Sequence, residues 1–222
     1  ARYQASPAWN REILENLAHY WDLDEESGTT LDDKPLSGDG EDIDITEDLG
    51  MTGIENNTSW GVMGRALDLE LGGGSKLIFE EASSDSNFTL SFWIKPNNSD
   101  HSFDLGGESS LLSFNFTDQN FTFDDQLLSR KSDDQGWSHI AIVYDGDGEG
   151  KFYLDGQSVA FQKDLFVGTL ESTDFNGSND EVRVYTEALS DGKVKYLAGR
   201  TFLDISGNKY HASGVGPDFP FD

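Results

Sequence analysis

The sequence predicts an all-β fold, an antiparallel β-sandwich with short helices at its edges. From residue 20 onward, short apolar runs alternate with clusters of Gly, Asn, Asp and Ser, a pattern typical of strands joined by turns. Hydrophobic residues make up 36% of the 222-residue chain, and they include 15 Phe, 7 Tyr and 5 Trp. This content supplies enough apolar surface for one core despite the high charge, so we expect a folded domain.

The N-terminal segment, residues 1–19, is predicted to be a helical lead-in. Ser6 is suited to cap a helix, and Pro7 is suited to its first position. Apolar and aromatic residues then recur at helical spacing, at Trp9, Ile13, Leu17 and Tyr20. The helical period disappears after that point, where strands take over.

The clearest strand is the run from Phe88 to Lys95. Its alternate residues Phe88, Leu90, Phe92 and Ile94 share one face, and Pro96 closes the run. This alternation predicts a strand with one face buried and the other exposed. The region from Asp100 to Asp134 is less regular, and we predict two strands with loose loops there.

A hairpin is predicted between the runs Ser138–Tyr144 and Lys151–Leu154. The connection, residues 145–150, alternates carboxylates with glycines and superficially resembles an EF-hand loop. Because the distal bidentate Glu and the flanking helices are missing, we interpret it as a turn. Farther on, Val182 and Val184 indicate a strand, and a short helix follows between the capping residue Ser190 and Gly199.

The charge of the chain excludes several classes of partner. Its 42 Asp and Glu outnumber 15 Lys and Arg, which gives a net charge of −27. This charge opposes approach to nucleic acid and to anionic membrane surfaces. No apolar stretch nears the roughly 20 residues of a membrane span, so we expect no direct membrane insertion. The absence of cysteine excludes disulfides and thiolate chemistry.

Five segments support a more specific assignment. In order they are Tyr20–Gly28, Gly64–Glu70, Phe88–Pro96, Gly136–Asp145 with Phe152–Gly156, and Gly177–Ser190. Together they resemble the laminin-G-like branch of the concanavalin A-like lectin/glucanase jelly-roll family. The resemblance implies a jelly roll, which we place at residues 20–199.

The chain departs from the family pattern at both ends of the domain. The Ser-Gly-Asn turn expected after the first strand is replaced by an acidic stretch, residues 39–44, and a similar turn appears instead at Ser206-Gly207-Asn208. Residues 200–222 are therefore either a C-terminal tail or the start of a further repeat. The first and last residues look like excised connections, so we expect the domain to belong to a larger multidomain protein.

The resemblance also implies a structural calcium ion, which members of the family commonly carry. The acidic positions that match or neighbour the recurrent carboxylates of the family are Asp24, Asp32, Glu70 and Asp180. Carboxylates from several loops are the hard oxygen ligands that calcium prefers. In the alternative interpretation, Asp24 and Asp180 cap turns or strand ends through hydrogen bonds.

Catalysis is the rival interpretation of the acidic residues. The run Asp42–Glu47 alternates carboxylates, and the jelly-roll endo-glucanases place their nucleophile and acid on one strand face in that way. Their motif begins with Glu, however, whereas this run begins with Asp and lies in a turn-like stretch. We therefore assign no catalytic residue and expect no enzymatic activity.

The aromatic residues separate into core and ligand candidates. Trp21, Trp93 and Trp137 lie in the strands that match the family, so we expect them in or beside the core. The residues freer to contact a ligand are Trp60, His101 and Phe103. We therefore expect a secreted or cell-envelope recognition module that binds carbohydrate or a glycosylated or protein surface. A glycan-degrading enzyme and a structural spacer remain the alternatives.

Overall fold

The described residues of the computed structural model are rich in strands and include one regular helix. The described residues are 13–14, 16–34, 43–44, 58–69, 75–78, 87–97, 101–105, 112–116, 120–123, 126–129, 136–162, 169–172 and 177–199. The strands of this part of the chain are β1 Leu17–Trp21, β2 Thr30–Leu31, β3 Ile43–Asp44, β4 Thr58–Trp60, β5 Arg65–Leu69, β6 Ser75–Ile78, β7 Phe88–Pro96, β8 His101–Leu105, β9 Leu112–Phe116, β10 Asn120–Phe123, β11 Gln126–Ser129, β12 Ser138–Tyr144, β13 Glu149–Leu154, β14 Gln157–Gln162, β15 Thr169–Ser172 and β16 Gly177–Tyr185. The helix, α1, spans Asp191–Ala198.

The strands form two main antiparallel sheets. The larger sheet has eight strands in the order β14-β13-β12-β7-β16-β5-β4, with β1 also paired to β16. The second sheet has six strands in the order β11-β10-β9-β8-β15-β6, and β2 pairs with β3 separately. This architecture confirms the predicted all-β sandwich with a short helix at its edge.

The central strands of the large sheet are buried on both faces. Every residue of β12 is buried, and β7 is buried from Phe88 to Ile94. Even the polar side chains Thr89 and Ser91 are fully buried. The prediction of one exposed face for β7 was therefore wrong, because other elements cover that face.

The cover over this outer face comes from the two ends of the domain. Ile13, Leu17 and Tyr20 join Val194 and Leu197 of α1 in one buried apolar cluster against the sheet. Helix α1 begins at Ser190, whose hydroxyl accepts a hydrogen bond from the Lys193 amide, as the sequence predicted. Burying such side chains contributes about 1.5–3 kcal/mol each, so this cluster fixes both ends.

Only the end of the predicted helical lead-in is described, and Ser6, Pro7 and Trp9 lie outside the described residues. Ile13 and Leu14 are helical, but Leu17 already begins β1, where it pairs with Tyr185 of β16. Leu17 and Tyr20 share a buried cluster, as their spacing suggested, but a strand brings them there. Pairing with β16 prevails here over the local helical period.

The region between residues 100 and 134 also differs from the prediction. Its described residues form four strands, β8 to β11, rather than two, and these strands pair as a continuous meander. Each has only four or five residues, which is too short for alternation to distinguish a strand from a loop.

The predicted β12–β13 hairpin is confirmed. Its connection is a turn, in which Asp145 Oδ1 accepts from the Asp147 and Glu149 amides at 2.9 and 3.1 Å.

Candidate functional site

The candidate site surrounds an edge hairpin formed by β4, the loop of residues 61–64 and β5. Among the described residues β4 is the last strand of the large sheet, so one side of this hairpin faces no further described strand. Within the loop, the Gly61 amide donates to the Gly64 carbonyl oxygen at 3.2 Å. Gly64 adopts a positive φ of 58°, and a Cβ there would collide with the Asp24 carboxylate. Only glycine allows this approach.

Two predicted metal ligands hold this loop. Asp24 Oδ1 accepts from the Arg65 amide at 2.5 Å. Asp180 Oδ2, from β16, accepts from the amides of Val62 at 2.7 Å and Met63 at 3.1 Å. Carboxylates from two distant parts of the chain thus fix the hairpin through its own backbone.

Burial is the largest cause of the raised pKa values of Asp180 and Asp24. Desolvation raises the pKa of Asp180 to about 8, although the amides of Met63 and Val62 oppose this shift, and the Asp24 charge raises it further. Desolvation likewise raises the pKa of Asp24, against the hydrogen bond from the Arg65 amide. Asp180 Oδ1 is buried and has no hydrogen-bond partner among the described residues. An orphaned oxygen of this kind suits a proton or a bound cation.

The other two predicted metal ligands are Asp32 and Glu70. Asp32 is exposed, and its backbone amide donates to Glu25 Oε1 at 3.1 Å. Glu70 lies outside the described residues. Within the described part of the chain, no group of three or more acidic or histidine side chains is arranged to hold a metal ion.

An apolar contact supports the same loop from the sheet side. Val62 packs against a buried cluster of Ala66, Trp93 and Trp137. The Trp93 ring in turn contacts His139 edge-on, with 5.2 Å between ring centroids. Trp93, Trp137 and Trp21 are all buried, which confirms the prediction that they belong to the core.

A buried charge cluster of Tyr20, Glu181 and Arg183 lies on the paired strands β1 and β16, and no sequence pattern predicted it. The Tyr20 hydroxyl donates to Glu181 at 3.0 and 3.1 Å, and the Arg183 guanidinium pairs with the same carboxylate. Arg183 also stacks over the Tyr20 ring, 4.7 Å from its centroid. A β-bulge between Asp180 and Arg183 interrupts the alternation of β16 and brings the side chains of Glu181 and Arg183 together. Alternation in the sequence does not reveal such a bulge.

His139 lies in the same polar layer of the sheet. It is fully buried, and its Nε2 is 2.9 Å from the Ser91 hydroxyl, while its Nδ1 has no partner among the described residues. Desolvation, together with the Arg183 charge, lowers the pKa of His139 to about 3. The residue is therefore a neutral core histidine at ordinary pH.

Trp60 is the exposed member of the edge hairpin. It is 82% exposed, and no other large hydrophobic side chain of the described residues is exposed. Trp60 pairs across the hairpin with Arg65, whose guanidinium lies 3.4 Å from the Thr58 hydroxyl and 3.5 Å from Glu26 Oε1. The side chains of His101 and Phe103, on β8 of the other sheet, lie outside the described part.

The acidic run weighed as a catalytic motif is largely outside the described residues. Only Ile43 and Asp44 are described, as strand β3, and their side chains are not. The described helical residues include no segment long and apolar enough to cross a membrane.

Solved structures share this fold at low sequence identity. Domain 4 of the GH43 extracellular arabinanase AbnA from Geobacillus stearothermophilus, in complex with arabinotriose, has a TM-score of 0.54 at 21% identity, over 82% of this chain and 98% of that one. The binding domain of Paraclostridial Mosquitocidal Protein 1 has a TM-score of 0.54 at 15% identity, over 87% of this chain and 55% of that one.

A third similar structure is Trypanosoma rangeli sialidase in complex with sialic acid. Its TM-score is 0.53 at 15% identity, over 83% of this chain but only 33% of the sialidase.

No curated protein matches the sequence significantly. A family model described as the concanavalin A-like lectin/glucanases superfamily, laminin G type, matches residues 71–195, more than half of the chain. This chain therefore belongs to the concanavalin A-like lectin/glucanase superfamily.

Proposed function

We propose that this chain is a non-catalytic carbohydrate-recognition module of an extracellular or cell-envelope protein. The observation that carries the proposal is Trp60, a large aromatic side chain left 82% exposed on a hairpin whose loop is fixed by the buried Asp180 and the half-buried Asp24. Exposed aromatic rings on rigid supports are a common means of contacting ligands with an apolar face. A fixed hairpin also reduces the entropy lost on binding.

The structural relatives support binding more than catalysis. The relative that this chain spans almost entirely is a single domain of a larger arabinanase, and it is bound to arabinotriose. Of the sialidase, a whole enzyme, this chain spans only a third. These relatives also favour a place within a larger multidomain protein, whose partner would be a carbohydrate or a glycosylated or protein surface.

Calcium is part of the proposal. Asp180 Oδ1 and the carboxylate of Asp24 are the described oxygens best suited to a cation beside the 61–64 loop. Calcium takes six to eight oxygen ligands, so carbonyls and water would complete the shell, with Asp32 and Glu70 as the remaining candidates. A bound ion would stabilise the hairpin that presents Trp60, so its role is structural.

Calcium titration of the chelated protein tests this part. We expect measurable heat and a higher melting temperature with calcium, because an ion that binds only the folded state stabilises it. Asp180→Asn keeps an acceptor for the Val62 and Met63 amides but removes the charge, so it should abolish the calcium effect. Equal stabilisation of this variant and the wild type by calcium would contradict the proposed ligand set.

A glycan array, probed with and without calcium, tests the function itself. We expect binding to at least one class of oligosaccharide and no release of product from labelled polysaccharides. Hydrolysis that disappears in Asp44→Asn would instead support an enzyme. No glycan binding and no hydrolysis would support a structural spacer.

A further inference from the structure

We infer that the edge hairpin selects a neutral sugar, which stacks one ring face on Trp60 and binds Arg65 and Glu26 through its hydroxyl groups. This inference rests on the proposed function and adds the site, the chemical class and the exclusion of acidic glycans. Three features carry it: the geometry around Trp60, the ion pair beside it and the sign of the surrounding charge.

The first feature is the placement of Trp60 and Arg65. They are opposite residues of the antiparallel pair β4–β5, and opposite residues project from the same face of the hairpin. Their Cβ atoms in such pairs lie about 4.5–5.5 Å apart, so the guanidinium lies within reach of a group stacked on the indole. A sugar ring offers a C–H face to the indole and hydroxyl groups at its edge.

The second feature is the ion pair of Arg65 and Glu26. Their side chains are 39% and 81% exposed, and their 3.5 Å separation is long for a charge-assisted hydrogen bond. Opening an exposed pair of this kind costs little, since such pairs contribute about 0–1 kcal/mol. Arg65 offers only donors and ionised Glu26 only acceptors, whereas each sugar hydroxyl both donates and accepts. Two adjacent hydroxyls therefore satisfy the opened pair.

The third feature is the negative charge. Glu26 stands beside the site, Asp24 holds its backbone, and the whole chain carries −27. A carboxylated or sulfated sugar would meet this field and the Glu26 carboxylate, which disfavours it. A neutral sugar meets no such penalty.

A protein partner fits the hairpin less well than a sugar. Stable protein interfaces bury an apolar core of several side chains. Trp60 is the lone exposed large hydrophobic of the described residues, so it supplies one stacking platform rather than an extended core. One ring beside one donor and one acceptor matches a sugar residue in size and polarity.

Binding assays with defined trisaccharides test the inference. The neutral probes are arabinotriose, xylotriose, cellotriose and maltotriose, and the acidic probes are trigalacturonate and sialyllactose. We expect binding of at least one neutral probe and weaker binding of both acidic ones. Trp60→Ala should weaken neutral binding by roughly 30-fold, as expected for truncation of a hot-spot tryptophan, and Trp60→Phe should retain part of it.

The ion pair has a matched control in the same sheet. Arg65→Met and Glu26→Gln should each weaken neutral binding by roughly 10-fold, the loss of about one well-made hydrogen bond. Lys151→Met removes a comparable exposed pair, Lys151 with Asp191 at 2.8 Å, near the opposite edge of the sheet. This control should bind as the wild type does, and loss of binding in it would contradict the placement of the site.

The outcomes separate this inference from the proposed function. Preferred binding of the acidic probes, or neutral binding unchanged in Trp60→Ala, would overturn the inference while leaving carbohydrate recognition in place. Failure to bind any glycan on the array would overturn the proposed function as well. Circular dichroism of each variant shows whether a lost signal reflects unfolding.

Discussion

Two parts of this molecule use the same three kinds of side chain in opposite ways. The buried charge cluster combines Tyr20, Arg183 and Glu181, which are 4%, 6% and 3% exposed. The edge hairpin region combines Trp60, Arg65 and Glu26, all of which reach solvent. Each set has one aromatic ring, one guanidinium and one carboxylate.

The comparison shows that burial determines whether these groups bind one another or stay accessible to a ligand. In the buried cluster the carboxylate receives both the tyrosine hydroxyl and the guanidinium, so its acceptors are engaged inside the protein. At the edge hairpin the contacts of the guanidinium with described residues are long, at 3.4 and 3.5 Å, so we expect its donors to stay available to a ligand. The first arrangement is closed within the protein, and the second is the one that we propose as a binding site.

Removing the buried guanidinium should give the largest effect. Arg183→Met leaves Glu181 buried without its cation, so we expect a loss of about 3–5 kcal/mol in the free energy of unfolding. Arg65→Met, the matched change at the edge hairpin, should cost about 1 kcal/mol or less. Urea unfolding followed by fluorescence measures both, and equal losses would break the comparison.

Acid should destabilise the buried polar layer through His139. The pKa of His139 is lowered to about 3 in the folded state, whereas a histidine in the unfolded chain has a pKa near 6.5. The stability that neutral His139 contributes is therefore complete above pH 6.5 and is lost as the pH falls toward 3. His139→Gln should remove this dependence, a difference on the order of 3–5 kcal/mol between wild type and variant at the acid end. Parallel stability curves for the two proteins from pH 7 to pH 4 would contradict this account.

Asp180 connects the two regions, because it precedes the buried Glu181 in sequence and holds the edge hairpin. Asp180→Ala leaves the amides of Val62 and Met63 without their acceptor, so we expect a loss of about 1–3 kcal/mol in unfolding free energy. Asp180→Asn retains an acceptor oxygen and should cost less. Hydrogen exchange at the two amides gives the local readout, and equal protection in the wild type and the Ala variant would argue against the contact.

Removal of the exposed ring should have the smallest effect on stability. Trp60→Ala takes away a side chain that contacts mostly water, so we expect a change within about 0.5 kcal/mol. The same variant should show the largest loss of sugar binding. A melting temperature lowered as far as in Arg183→Met would show that Trp60 is structural instead.

The sequence predicted the scaffold better than the contacts that complete the site. Alternation in Phe88–Ile94 and the glycine-rich turn at 145–150 are local signals, and they located β7 and the β12–β13 hairpin. The hydrogen bonds of Asp24 and Asp180 to the 61–65 segment span 41 and more than a hundred positions, which no local pattern reveals. Family resemblance singled out these carboxylates, but not the amides that they bind.

The buried charge cluster escaped prediction for a related reason. In an alternating strand, Arg183 between Val182 and Val184 is expected to face water. In the structure Arg183 is buried instead, paired with Glu181 and stacked on Tyr20, and a β-bulge at Glu181 interrupts the alternation. Neither effect is visible in the local pattern, because Tyr20 lies 161 positions from Glu181 and the bulge arises in the pairing of β16 with β7.

Because Trp60 is the one exposed tryptophan among the described residues, its intrinsic fluorescence can report on ligand binding. The other described tryptophans, Trp21, Trp93 and Trp137, are 3%, 5% and 2% exposed, so a small neutral quencher such as acrylamide would reach Trp60 well before it reaches them. Iodide would be repelled by the acidic surface and would quench less. In a Trp9→Phe variant, whose remaining tryptophans are all described, a ligand that covers the Trp60 indole should therefore protect the accessible fraction of the emission, which makes occupancy of the edge hairpin measurable without any label.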